Sequence, residues 1–273
     1  MTGLDERSPD QEWFLKRTAG TQYAADHNGW GPSARYFRSR IHLIDQCLQV
    51  TTGDLLDVGC GPGALVEHLL DSRPGAFAIT ACDVSAEMLH AARARLWGRP
   101  GSRDVRLSLA SIEELPFRSA SFDVVIAAGV LEYVDIDRAL PELARVVRPG
   151  GLVIVTMLNQ VSPYHLFEWW IYWPLLRQIP RLQALIGVPP GRRRGSPAKG
   201  FRTAVRRRLV NALRASGLQD EDVAYYDLNA LVPPLDQIVR RWTTRWRSRP
   251  GTTISRGPRR HLGTAYLVAA RPS

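Results

Sequence analysis

Nine residues, Leu55-Leu56-Asp57-Val58-Gly59-Cys60-Gly61-Pro62-Gly63, carry the clearest chemistry in the chain. An apolar run leads straight into a glycine-rich turn, and an acid, Asp83, stands 20 residues beyond Gly63. Leu55, Leu56 and Val58 suit a parallel strand buried on both faces. Gly59, Gly61 and Gly63 let the backbone turn sharply and let a ligand approach without a Cβ in the way. Asp83 closes a second apolar run, Phe77 to Cys82, where a carboxylate can accept both hydroxyls of a ribose. Together these parts make a pocket for an adenosine-type cofactor. A dinucleotide would ask for G-x-G-x-x-G, whose third glycine brings a helix close beneath a pyrophosphate. Here the glycines alternate and Pro62 stiffens the turn, which makes a wider floor without a pyrophosphate seat.

The elements that must hold these groups follow in order. Ser85 is placed to cap a helix beginning at Ala86. A strand is expected over Val105–Ala110, ending at Ser111-Ile112-Glu113-Glu114-Leu115-Pro116-Phe117, and a fourth over Ser121–Ala128. Leu131-Glu132-Tyr133-Val134 falls on a loop and helix over the pocket. Leu143–Gly151 reads as a helix ended by Pro149-Gly150-Gly151, leading into a strand over Leu152–Met157. This alternation is the pattern of a doubly wound α/β sheet. Ala265–Ala270 reads as a last, antiparallel strand. Residues 160–260 would then be an insertion before the sheet is completed. Two helices, Leu15–Asp26 and Ser33–Val50, precede the core.

The D-V-G-C-G-P-G turn, Asp83, the Ser111 segment and the Leu131–Val134 loop resemble the class I S-adenosylmethionine-dependent methyltransferases. The similarity is strongest to small-molecule enzymes such as those of ubiquinone and menaquinone synthesis, and it covers roughly Leu55–Met157. It implies a mostly parallel, seven-stranded Rossmann-like sheet and S-adenosylmethionine as cofactor. It further implies that Met88 packs against the adenine, and that Asp57, Gly59, Gly61, Asp83, Val84, Ile112 and Ala127 complete the cofactor site. The family has an Asp at the position of Ser111, where it bonds the adenine amino group; Ser111 departs from that pattern while keeping an oxygen there. N-terminal helices in such enzymes close the site, with a tyrosine, here Tyr23, facing the substrate. An arginine ahead of the core, Arg40, is suited to pair bidentately with the methionine carboxylate.

With 273 residues, 45% of them hydrophobic, the chain can build a full core. The expected division is residues 1–50 as helices over the site, 51–159 as cofactor core, 160–260 as substrate cap and 261–273 as final strand. Met1–Trp13 is polar and acidic, unlike a secretory leader. Cys47, Cys60 and Cys82 fall in or near core elements and are expected to be reduced thiols of a cytoplasmic protein. No Cys/His spacing points to a metal. Charge is uneven: residues 1–159 hold 16 basic and 20 acidic residues, residues 160–273 hold 20 basic and 6 acidic. The excess is either an arginine-rich solvated surface or an attraction to an anionic partner: a lipid surface, a phosphorylated substrate or RNA.

Ser162–Leu176 is dense in aromatics but broken by Pro174 and Arg177, which excludes a clean membrane span. It can serve as a cap lining an apolar substrate pocket, as a segment lying in a membrane interface, or as a homo-oligomer contact. Methyl transfer needs a general base only when the nucleophile must lose a proton. The candidates are Tyr23, His27, Glu132 and His165, with His165 and Tyr23 foremost. Glu132, Tyr133, His165 and Trp169, with Tyr23, are the expected substrate contacts. The expected function is methylation, at carbon or oxygen, of a largely apolar molecule such as a prenylated, polyketide or lipid-like metabolite, at a membrane surface or in the cytoplasm. An RNA methyltransferase is the alternative offered by the arginines. Against it, Ala127-Ala128-Gly129-Val130 stands where base-flipping amino-methyltransferases carry an Asn/Asp-Pro-Pro-aromatic run.

Overall fold

The computed structural model describes residues 32–49, 51–172, 205–228 and 262–273, with isolated positions at 174, 175, 178, 256 and 257. Its elements are α1 (Pro32–Cys47), β1 (Gly53–Val58), α2 (Ala64–Ser72), β2 (Phe77–Asp83), α3 (Ala86–Leu96), β3 (Arg106–Leu109), β4 (Phe122–Ala127), α4 (Ile136–Val146), β5 (Val147–Leu158), α5 (Pro163–Phe167), α6 (Arg206–Ala215), β6 (Leu218–Leu228) and β7 (Gly263–Pro272). The seven strands form one sheet in the order β3-β2-β1-β4-β5-β7-β6. β1 to β5 are parallel, and β7 runs antiparallel to both neighbours. The mostly parallel doubly wound sheet of the sequence reading is therefore the fold.

Side-chain alternation along the central strands divides the core in two. Leu56, Val58, Val125, Val153 and Val155 face one side, where Leu140 and Leu143 of α4 and Leu209 and Leu213 of α6 cover them. Leu55, Val124, Ile126, Leu152 and Ile154 face the other, under Leu43 and Ile44 of α1 and Val66 and Leu69 of α2. The parallel strands thus point their carboxyl ends to one edge, the edge where such sheets bind ligands.

Three expectations need correcting. Leu218–Leu228, assigned to the cap, is the edge strand β6, paired with β7 from Leu218↔Pro272 to Leu228↔Gly263. With α6 it belongs to the core, so the insertion is shorter than 160–260. The helix expected over Leu143–Gly151 ends at Val146; Val147 already pairs with Phe122, and the register then jumps to Val124↔Leu152 across Pro149-Gly150-Gly151. The segment Leu131–Val134 is a turn with no helical part. The expected helix Leu15–Asp26 lies outside the described residues. No helix among the described residues is long and apolar enough to cross a membrane.

Candidate functional site

The turn after β1 is held by β2. The amides of Gly59 and Cys60 both donate to the Cys82 carbonyl, at 2.7 and 3.0 Å. Gly59, Gly61 and Gly63 have φ of 68°, 53° and 75°, the left-handed region that favours glycine. At Gly59 the need is also steric, because a Cβ would stand 2.2 Å from Cγ2 of Val130. Asp83, at the tip of β2, fixes both the turn and the next helix. Its Oδ2 accepts the Gly61 amide at 2.9 Å and its Oδ1 accepts the Ser85 amide at 2.9 Å. Ser85 in turn caps α3, accepting the Met88 amide at 3.3 Å. Burial pushes the Asp83 carboxyl up, while the amides of Ser85, Gly61 and Val84 pull it back. Each carboxylate oxygen has a further lone pair to offer to a hydroxyl.

A cavity opens along the carboxyl edge of the sheet, where parallel α/β sheets bind their ligands. Its wall follows the strand order. Ser111 and Ile112 lie beyond β3, Asp83 and Val84 at β2, Gly59 and Gly61 at β1, and Gly129, Val130 and Tyr133 beyond β4, with Arg40 of α1 on the same wall. β2 and β4 flank β1, so Asp83 and the Gly129 loop stand about 10 Å apart across the glycine turn. The cavity accordingly presents a carboxylate on one side of that turn and a guanidinium on the other.

Arg40 owes its position to several groups. Its guanidinium lies over the rings of Tyr36 and Phe37, 5.5 and 5.0 Å from their centroids. It packs so closely on Gly129 that a Cβ there would meet Nη1 at 2.1 Å. The Gly129 amide is itself held by Thr156 Oγ1 at 2.8 Å. Two buried carboxyls face Arg40: Asp57 at the end of β1 and Glu132 in the turn after β4. Burial raises each to about 7, and in both cases the Arg40 charge works against the rise. Tyr36 and Tyr226 complete the group, hydroxyl to hydroxyl at 3.1 Å, and burial pushes the Tyr226 phenol up to about 12.

Of the residues expected at the cofactor, Arg40, Gly59, Gly61, Asp83, Val84, Ser111 and Ile112 stand on the cavity wall, as does Tyr133 from the expected substrate contacts. Ser111 Oγ accepts the Glu113 amide at 3.3 Å, which turns the loop after β3 back toward Glu114. Asp57, Met88 and Ala127 are buried behind the wall, and Glu132 lies beneath it. Met88, in the first turn of α3, is buried and is not on the cavity wall. Burial pushes the Cys82 thiol up to about 12, and raises Cys60 as well, so neither is a ready nucleophile. Tyr23 and His27 lie outside the described residues.

His165 has a different task from the catalytic one expected of it. Its Nε2 donates to the Thr264 carbonyl at 3.0 Å and its Nδ1 meets Glu168 Oε2 at 3.2 Å. Both ring nitrogens are engaged within the protein. The ring stacks on Trp169 at 5.0 Å and an interplanar angle of 12°, and neither residue is on the cavity wall. His165 pins α5 to β7, across 99 residues of sequence. Sequence reasoning missed the Tyr36–Tyr226 pair. Tyr36 could have been found four residues before Arg40 on one helix face, but Tyr226 lies on the strand that was not read.

A family model described as "Methyltransferase domain" matches residues 56–155, the stretch from β1 to β5. A ubiquinone/menaquinone biosynthesis C-methyltransferase from Geotalea daltonii is 28% identical over 147 residues, 54% of this chain and 62% of its own. A malonyl-[acyl-carrier protein] O-methyltransferase from Salmonella typhimurium is 36% identical over 134 residues, 47% of this chain and 50% of its own. The chain thus spans between half and two thirds of these relatives. A solved S-adenosylmethionine-dependent methyltransferase from Thermotoga maritima shares the fold with a TM-score of 0.61 and 16% identity, covering 96% of this chain and 99% of that one. With the glycine turn, Asp83 and the strand order in place, residues 56–155 are similar to a methyltransferase domain, and the chain has the fold of solved S-adenosylmethionine-dependent methyltransferases.

Proposed function

We propose that the protein transfers a methyl group from S-adenosylmethionine to a largely apolar small molecule, at carbon or oxygen. The observation that carries this reading is the single cavity wall that joins Asp83, the glycine turn and Arg40 in strand order. That order suits a ligand with a base, a ribose and an amino-acid tail. The donor set fits: Asp83 keeps acceptor capacity for two hydroxyls, and Arg40 offers a fork for a carboxylate. When bound, the cofactor supplies a sulfonium methyl already activated for in-line displacement.

The chain's own residues then have positional work. Asp83 orients the ribose, and Ser111 and Ile112 receive the base. Arg40, held against Gly129 and within reach of the charges of Asp57 and Glu132, fixes the tail. Val130, Tyr133 and Val134 follow β4 on the wall beside Arg40, where an acceptor must approach. Their largely apolar surface supports a dry site, in which holding the nucleophile about 3–3.5 Å from the methyl supplies most of the rate. The relatives named for ubiquinone/menaquinone biosynthesis and for a malonyl carrier substrate support a small acceptor of prenylated, polyketide or lipid-like kind.

The test uses S-adenosylmethionine labelled in its methyl group, with a panel of prenylated quinol, polyketide and fatty-acyl acceptors. Label passing into an organic-extractable product is the expected result. Label passing into RNA, with none into any apolar acceptor, would overturn the acceptor class.

A further inference from the structure

From the surface that α5 and its continuation expose, we infer that the protein docks on an anionic phospholipid bilayer and takes its apolar acceptor from there. This rests on the proposed function for its purpose, although the docking itself is measured separately.

The segment is firmly built on its inner side. Ser162 caps α5 by accepting the His165 amide at 3.2 Å, and His165 reaches the Thr264 carbonyl and Glu168. Trp169 stacks on His165. A π-helical turn over Glu168–Tyr172 follows. Trp169 goes inward and Trp170 outward, 77% exposed. Leu166, Ile171 and Leu175 are exposed with it, at 42%, 47% and 65%. A tryptophan and three large aliphatics exposed within ten residues form an apolar patch that a soluble surface does not need.

Two further observations name the occupant. The first is charge. Between Trp169 and Gln219 the sequence holds eleven basic residues and no acidic one. Lysines and arginines beside a membrane surface are drawn to anionic lipid, and tryptophan favours the headgroup level. Apolar anchors in a stretch of sequence this basic match an anionic bilayer better than a neutral protein partner. The second is place. β4 and β5 run parallel with Ala127 opposite Val155, so the Ala128–Val134 wall and the segment after Leu158 leave the sheet at one edge. A bilayer met by Trp170 would therefore lie on the side of the sheet where the cavity opens.

The experiment is co-sedimentation of the full chain with vesicles of equal parts phosphatidylglycerol and phosphatidylcholine, and with phosphatidylcholine alone, over a salt series. The double variant Trp170→Ser, Leu175→Ser is run beside the wild type; both positions are exposed, so folding is spared. Expected is binding to the anionic vesicles that weakens as salt rises, and a loss of about tenfold or more in the double variant. Affinity for S-adenosylhomocysteine should be equal in the two proteins. No sedimentation with anionic vesicles at low salt would overturn the inference, as would a double variant that sediments like wild type. Binding to single-stranded RNA without binding to vesicles would overturn it in favour of a nucleic-acid surface. Loss of S-adenosylhomocysteine binding in the wild type would instead strike the proposed function, so the two failures are distinguishable.

Discussion

The carboxyls of Asp57 and Glu132 should make the unliganded protein lose stability as pH rises, the reverse of the usual behaviour of salt-bridged carboxylates. Both are buried beside Arg40, and Asp83, the thiols of Cys60 and Cys82 and the phenols of Tyr36, Tyr226 and Tyr266 also face one or other of them. Burial raises Asp57 from 3.8 to about 7 and Glu132 from 4.5 to about 7. A folded state with the higher value binds more protons than the unfolded chain, so stability falls with pH. The contribution is full below about pH 4 and is lost as pH climbs through about 7. At about 1.4 kcal/mol per pH unit, Asp57 alone costs roughly 2 kcal/mol between about pH 5.5 and 8. For a chain of this length that is a fall of about 4 °C in melting temperature. Thermal melts of wild type and Asp57→Asn across that window measure it. The variant should show a distinctly flatter profile, because its amide cannot ionise. A wild-type melting temperature that is constant or rises over the window, or an Asp57→Asn profile parallel to it, would refute the reasoning.

Other perturbations separate the roles assigned above. Gly59→Ala should abolish cofactor binding or lower stability by about 1–3 kcal/mol, since its Cβ meets Val130 and its φ is 68°; calorimetric titration and chemical denaturation read the two effects. His165→Ala should destabilise by about 1–3 kcal/mol through loss of the tie to Thr264. His165→Gln should leave the pH profile of methyl transfer unchanged, whereas loss of one limb of that profile would restore His165 as a base. Arg40→Met should weaken S-adenosylhomocysteine by about tenfold to a hundredfold in titration, and adenosine itself hardly at all, because Arg40 is assigned to the carboxylate end.

The part of the site that was legible is the part written in short stretches. Strand, glycine turn, strand and Asp83 succeed one another within 29 residues, and each local preference agrees with the fold. Asp83 then needs only its neighbours Gly61 and Ser85 to be set. What was not legible depends on partners far away in the chain. β6 opens Leu218-Gln219-Asp220-Glu221-Asp222, a polar run typical of a surface loop, and becomes a strand because β7, more than 40 residues on, offers its ladder. As an edge strand it tolerates that polarity, with a register shift between Asp220 and Asp222. His165 looked catalytic for the same reason: a histidine among aromatics gives no sign that a carbonyl from residue 264 will hold its ring. The end of α4 was misread because Pro149-Gly150-Gly151 resembles a helix stop, whereas Arg148 bonds Asp123 at 2.6 Å and Asp54 at 2.8 Å and fixes that stretch alongside β4 and β1.

The central claim, that Asp83 and the glycine turn hold an adenosine-bearing cofactor, is tested most directly by calorimetric titration of S-adenosylmethionine and S-adenosylhomocysteine into wild type and Asp83→Ala. Two hydrogen bonds from ribose hydroxyls to a carboxylate are worth about 1.5–3 kcal/mol each. The account predicts one-site binding to the wild type and a loss of at least about a hundredfold in the variant, with the folded fraction checked by circular dichroism. Wild-type protein that is folded and binds neither ligand, or a folded Asp83→Ala that binds as tightly as wild type, would contradict it.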